Sequence, residues 1–94
     1  MLMIRSFKTK KLEQFFTGSP VKEFRSFDDQ LSRRLVVLDN AEKLLDLRQL
    51  RSNRFEALVG NRKGQYSIRV NKQWRLCFRW DAEGPEDVEV VDYH

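Results

Sequence analysis

Residues 65–80 read QYSIRVNKQWRLCFRW. Tyr66, Ile68 and Val70 alternate with Gln65, Ser67 and Arg69. Trp74, Leu76, Phe78 and Trp80 alternate with Arg75, Cys77 and Arg79. A period of two is the signature of half-buried strands, so the stretch predicts a β-hairpin. Both apolar sets are even-numbered. For them to share a face, paired positions must sum to an even number, because a slip of one residue turns every side chain over. A three-residue loop, Asn71, Lys72 and Gln73, meets that condition and pairs Val70 with Trp74. The same register puts Arg69 directly opposite Arg75. Opposed like charges cost a few tenths to about 1 kcal/mol, and a bound phosphate would relieve them.

Upstream the period is helical. In KTKKLEQFFTG, Leu12, Phe15 and Phe16 fall at i, i+3 and i+4, and Gly18 suits a stop. In SFDDQLSRRLVVLDN, Phe27, Leu31, Leu35 and Leu38 share a face. Ser26 is the expected N-cap, Asp28 and Asp29 suit the first turn, and Arg33 and Arg34 lie off the apolar face. AEKLLDLRQL reads as a further short helix with Leu44, Leu45 and Leu47 inward. MLMIRSF reads as a first strand. These apolar residues are expected to be core rather than a cofactor box. Tyr66 and Trp80, by parity, belong there too.

Ninety-four residues suit one domain, residues 1–94, burying about 60–65% of its unfolded surface. No apolar run approaches the roughly 18 residues of a membrane span, and the start lacks a signal-peptide pattern. Cys77 is the only cysteine and His94 the only histidine. An internal disulfide and a Cys/His zinc site are therefore excluded, and neither a metal nor another cofactor is expected. A cytoplasmic location is the default. The net charge of +4 is unevenly spread. Between Arg48 and Arg79 stand seven Arg and two Lys against one acid, Glu56, a net +8; the remainder carries −4. A nearly acid-free basic segment points to a polyanion, most simply nucleic acid, rather than to a merely solvated face.

The segment VGNRKGQ brackets Asn61, Arg62 and Lys63 between Gly60 and Gly64. It lacks the P-loop pattern; it is a turn, and its basic tip suits an RNA backbone. Cys77 falls on the charged side of the hairpin and is expected to be a spacer. The closing EDVEVVDYH reads as a strand with two parities. Val88 and Val90 inward carry His94 inward; Val91 and Tyr93 inward carry His94 to the charged face. A bulge near Val90 and Val91 would bury all three valines and still turn His94 out.

MIRSF, NRFEALVGNRKGQYSIRVNKQWRLCFRW and VDYH together resemble the HigB branch of the RelE/ParE toxin superfamily, over the full chain. The resemblance implies a compact α+β, RelE-like fold. In it an N-terminal strand and two to three helices pack on one face of a curved, mostly antiparallel sheet. It implies the toxin half of a type II toxin–antitoxin pair, an endoribonuclease that cleaves messenger RNA on the ribosome and so inhibits translation. The implied partners are ribosome, mRNA and a helix-turn-helix, HigA-like antitoxin, with operator DNA reached only through the antitoxin complex and no membrane. By position, Arg75 would hold the scissile phosphate, and Asp92, Tyr93 and His94 match the closing Asp-Tyr-His, His94 being a candidate acid or base. The family's LHPLKG stretch reads FEALVG here: its histidine is Glu56 and its lysine is Val59.

Metal-free RNA cleavage needs a base for the ribose 2′-hydroxyl, a cation for the phosphorane and an acid for the leaving 5′-oxygen. Arg75 and Arg69 suit the cation role, because guanidinium pairs bidentately with phosphate. Glu56 is the candidate base, since a carboxylate among cations stays ionised; its bland alternative is a salt-bridge partner. His94 is the candidate acid, since imidazole titrates near neutrality. Arg62, Lys63, Arg79, Asp92 and Tyr93 complete the expected RNA-binding set. Two other functions fit the same pattern: a non-enzymatic toxin of this fold binding a protein such as DNA gyrase, and a plain RNA-binding module.

Overall fold

The computed structural model describes residues 3–92. Its elements are α1 (Lys10–Phe16), α2 (Asp28–Asn40), α3 (Leu44–Gln49), β1 (Glu56–Ala57), β2 (Gln65–Arg69), β3 (Trp74–Asp81) and β4 (Gly84–Asp92). The strands form one antiparallel sheet in the order β1-β2-β3-β4. The hairpin has the register that parity demands: Ile68 faces Leu76, Tyr66 faces Phe78 and Arg69 faces Arg75. Asn71 fixes its turn, its Oδ1 accepting from the backbone N–H groups of Gln73 and Trp74 at 2.8 and 2.9 Å. An Asn side chain that bonds the backbone two residues on imitates a turn.

The even-numbered face is the core. Ile68, Leu76, Phe78 and Val88 are fully buried against Leu12, Phe27, Leu31, Leu35, Leu38 and Leu47. Each such side chain contributes about 1.5–3 kcal/mol by leaving water. A run of aromatic contacts stitches helices to sheet: Phe15 to Phe24, Phe24 to Phe27, and Phe27 stacked on Trp74 at 4.8 Å. Thr9 caps α1, its hydroxyl accepting from Leu12 N–H. Gly18, at φ 109°, ends that turn in a conformation that favours glycine.

Several local expectations are corrected. Ser26 is not the cap of α2: a 3₁₀ helix over Lys22–Phe27 runs straight into it, so Ser26 lacks the extended backbone that a cap requires. Leu45 is 48% exposed, because Leu44 and Leu47 share the inner face of α3 and Leu45 lies a third of a turn away. The N-terminal segment, described from Met3 on, is not a strand of the ladder. It lies parallel to the edge of β4 through one bridge, Phe7 to Val88, with Arg5 N–H on Pro85 O and Lys8 N–H on Val88 O. A regular ladder is blocked there by a bulge, where Phe78 faces both Asp87 (φ 53°) and Val88, and Ser6 Oγ accepts from Asp87 N–H. The bulge thus sits before Val88 rather than near Val90 and Val91. Downstream of it Val88 and Val90 face the core, and Val91 pairs with Arg75 on the other face. Tyr93 and His94 lie outside the described residues.

Candidate active site

Pairing across four strands places Glu56, Ser67, Cys77 and Glu89 in one row on the face opposite the core. Arg69, Arg75 and Val91 form the next row. This face is not simply an open charged surface. Ser67 and Cys77 are buried, and Arg75 is only 6% exposed. A buried guanidinium must be hydrogen-bonded. Arg75 Nε donates to Ser67 Oγ at 2.9 Å, and Nη2 donates to the carbonyls of Arg54 and Ser67 at 2.5 and 3.4 Å. Arg54 presents its carbonyl from a left-handed backbone, φ 43°. The Glu56 carboxylate, 48% exposed, stands 3.8 Å from Arg75 Nη2. A carboxylate open to solvent therefore sits beside a cation whose direction is fixed by three protein acceptors.

The expected phosphate-binding residues divide into two groups. Arg69 and Arg75 face each other at one end of the hairpin; Arg62, Lys63 and Arg79 lie at the other. Arg75 and Arg79 stand four residue steps apart along β3, about 13 Å, too far for one phosphate. Arg62 is engaged: its Nη1 donates to Glu89 Oε2 and to Gln65 Oε1, each at 3.1 Å. The hydrogen bond to Glu89 raises its pKa, burial opposing. Lys8 Nζ reaches the same Glu89 oxygen at 3.1 Å. Arg79 is exposed, with Nε 3.9 Å from Asp87 Oδ2 and Nη1 against Gly64, whose φ is 93°. Lys63 is exposed at the tip of the loop. Asp92 accepts from Gln73 Nε2 at 3.1 Å and pairs with Trp74 in the ladder. Burial pushes the Cys77 thiol up, with Glu89 adding to the effect and Arg62, Arg75 and Lys8 opposing it. A thiol so held is inert as a nucleophile. Tyr66 stacks on Phe55 and packs on the core, as does Trp80. Sequence reasoning did not name Ser67 or the Arg54 carbonyl. The signal for Ser67 was its shared parity with Arg75 across the hairpin; nothing in the sequence marks a backbone carbonyl.

Residues 5–94 match the family model described as the RelE-like toxin of type II toxin-antitoxin system HigB. This chain belongs to the HigB-like toxin family. Toxin HigB-1 of Vibrio cholerae is 49% identical over 82 residues, covering 83% of this chain and 84% of that one. Endoribonuclease HigB of Proteus vulgaris is 32% identical over 98 residues, covering 98% and 100%. Among solved structures, the toxin–antitoxin heterotetramer YoeB-YefM of Staphylococcus aureus contains a chain that matches all of this one with a TM-score of 0.60 at 22% identity, covering 98% of that chain. The YoeB/ParE toxin of Agrobacterium tumefaciens matches 99% of this chain and 100% of its own at 0.58 and 12% identity. These two show the fold. The α+β, RelE-like architecture expected from sequence is thereby established, with its helices on one face of an antiparallel sheet. As a type II toxin this HigB-like protein has an antitoxin partner. Among the described residues no helix is long and apolar enough to cross a membrane.

Proposed function

We propose that this HigB-like toxin is a metal-independent endoribonuclease that cuts messenger RNA on the ribosome. The observation that carries the reading is Glu56, an exposed carboxylate 3.8 Å from the buried, hydrogen-bonded Arg75. A carboxylate open to solvent beside a fixed cation is placed to accept a proton next to the phosphate that the cation holds. Glu56 takes the proton of the ribose 2′-hydroxyl, and the 2′-oxygen attacks the neighbouring phosphorus. Arg75 and Arg69 offset the charge of the phosphorane, a role suited to groups oriented before reaction. The bond to the 5′-oxygen breaks and His94 returns a proton to it. The products are a 2′,3′-cyclic phosphate and a 5′-hydroxyl. Arg62, Lys63, Arg79, Asp92 and Tyr93 hold neighbouring nucleotides. The name of the Proteus vulgaris relative, an endoribonuclease, supports the same chemistry.

The whole chain acts as one domain in the cytoplasm. Its antitoxin is a helix-turn-helix protein, and operator DNA is met only through their complex. Primer extension on a translated transcript tests the reading: new 3′ ends within codons, dependent on ribosomes and on toxin, are expected. Gyrase-linked DNA damage without new RNA ends would replace it with the non-enzymatic reading.

A further inference from the structure

Where β2 turns into β3, the sheet opens onto a cleft of about 470 Å³. A second cleft of about 280 Å³ adjoins it along α2, sharing Gln30, Arg34 and Val70. Arg34, Arg54, Arg69 and Lys72 line the first, and Arg33 joins Arg34 in the second; among the described residues no acidic side chain lines either. Nor, among the described residues, does a carboxylate form an ion pair with any of these five cations. The cluster gathers two helical arginines with three cations of the basic segment. Burial, then the charges of Arg33 and Arg69, push the Arg34 pKa down, so the site works against its own charge until an anion arrives.

The walls are nevertheless held in place. Arg34 Nη1 donates to Asn53 Oδ1 at 2.7 Å, and the buried Asn53 donates to Leu47 O at 3.0 Å. Asn71 Nδ2 donates to Gln30 Oε1 at 2.9 Å and ties the hairpin turn to α2. Among the described residues the lining contains no aromatic ring on which a base could stack. Cations without stacking platforms read the backbone of a nucleic acid and not its bases. Arg54 and Arg69 join this cleft to the reaction site: both line the cleft, the Arg54 carbonyl anchors Arg75, and Arg69 stands opposite Arg75 in the ladder.

We infer that the Arg33, Arg34, Arg54 and Lys72 side of this cleft, beyond Arg69, is a second RNA-backbone subsite, holding phosphates away from the scissile one and setting affinity without taking part in the chemistry. It deepens the endoribonuclease reading and rests on it for the identity of the polyanion. The phosphodiester belongs either to the message or to ribosomal RNA, and two probes separate them. One is a labelled 2′-O-methyl oligoribonucleotide of about ten nucleotides, which no 2′-hydroxyl mechanism can cut; the other is vacant ribosomes.

Arg33 and Lys72 are exposed and form no ion pair among the described residues, so R33A, K72A and the double variant should fold as wild type. The double variant should bind at least one probe roughly tenfold more weakly at physiological salt. Its log affinity against log salt should be shallower by about 0.7 for each single-strand phosphate that the variant no longer neutralises. R33E/K72E should bind more weakly still. In cleavage, the alanine variants should raise KM and keep kcat. Weaker binding to the oligonucleotide assigns the cleft to message; weaker binding to ribosomes alone assigns it to ribosomal RNA. Unchanged affinity and salt slope on both probes would overturn the subsite, as would a loss confined to antitoxin binding, which would make the cleft an acidic-peptide site. Because both probes measure binding without cleavage, a wild type that fails to cut RNA while these shifts appear sinks the endoribonuclease reading and leaves the subsite standing.

Discussion

Arg75 donates from Nε to the hydroxyl of Ser67 across the β2–β3 ladder at 2.9 Å, and both side chains are buried. The bond sets the direction of the guanidinium that stands beside Glu56. Replacing Ser67 with Ala leaves a buried charged donor without its acceptor, at a cost of about 1–3 kcal/mol. Urea unfolding should show that loss. Cleavage by the folded fraction should fall as well, because Arg75 is freed to turn. An S67A protein as stable and as active as wild type would show that Arg75 is held by its carbonyl partners alone.

Arg69 presents the opposite case. It faces Arg75 directly in the register and makes no ion pair among the described residues. Arg69→Ala removes a like-charge repulsion, so stability should hold or rise by up to about 1 kcal/mol. RNA cleavage should fall at the same time. Thermal unfolding and a cleavage assay on one preparation would show the two moving in opposite directions.

The departure from the family's stretch can be reversed. Val59 is 83% exposed, so a lysine there costs no buried surface. Glu56→His with Val59→Lys should cleave faster than the present sequence and unfold at nearly the same temperature. A slower double variant would mean that the site has been rebuilt around the carboxylate.

Cys77 makes a prediction in pH. Its thiol pKa is raised in the folded chain, mainly by burial, whereas an unfolded thiol titrates at about 8.5. Above that pH the unfolded chain loses the proton first. The stability contribution is therefore complete below about pH 8.5 and is lost as pH rises towards the folded value. Cys77→Ser should flatten the alkaline limb of stability against pH. Thiol alkylation of the folded protein at neutral pH should be slow and should become fast in denaturant.

The hairpin register was legible because parity admits one answer: two apolar sets of equal parity and a three-residue loop leave Arg69 opposite Arg75. The helices were legible from the leucine spacing of α2 and the Phe pair of α1. Ser26 misled because a 3₁₀ turn joined to a helix leaves no signature in capping residues. The bulge at Asp87 and Val88 was misplaced because three valines in a short run fit several registers, and only a positive φ at Asp87 selects one. In the site, residue types pointed to Arg75 and Glu56, and their spacing of 3.8 Å required the fold. The burial of Arg75 was hidden, since alternation with Arg69 and Arg79 suggests a solvent face, and a carbonyl from Arg54 closes over it instead. Arg33 and Arg34 were visible as residues off the apolar face of α2; their meeting with Lys72 depends on packing.

Glu56→Gln shows whether the Glu56 carboxylate is the base that starts cleavage. The carboxamide keeps the shape, and the side chain is half exposed, so the variant should fold and bind antitoxin like wild type. The measurement is the single-turnover rate of cutting a labelled, ribosome-bound message at saturating toxin. A base that accepts the 2′-hydroxyl proton contributes about 10²–10⁴-fold, and the account predicts a loss in that range with His94→Ala lowering the rate separately by about tenfold or more. A Glu56→Gln rate within a few-fold of wild type would contradict the account and reduce Glu56 to a salt-bridge partner of Arg75.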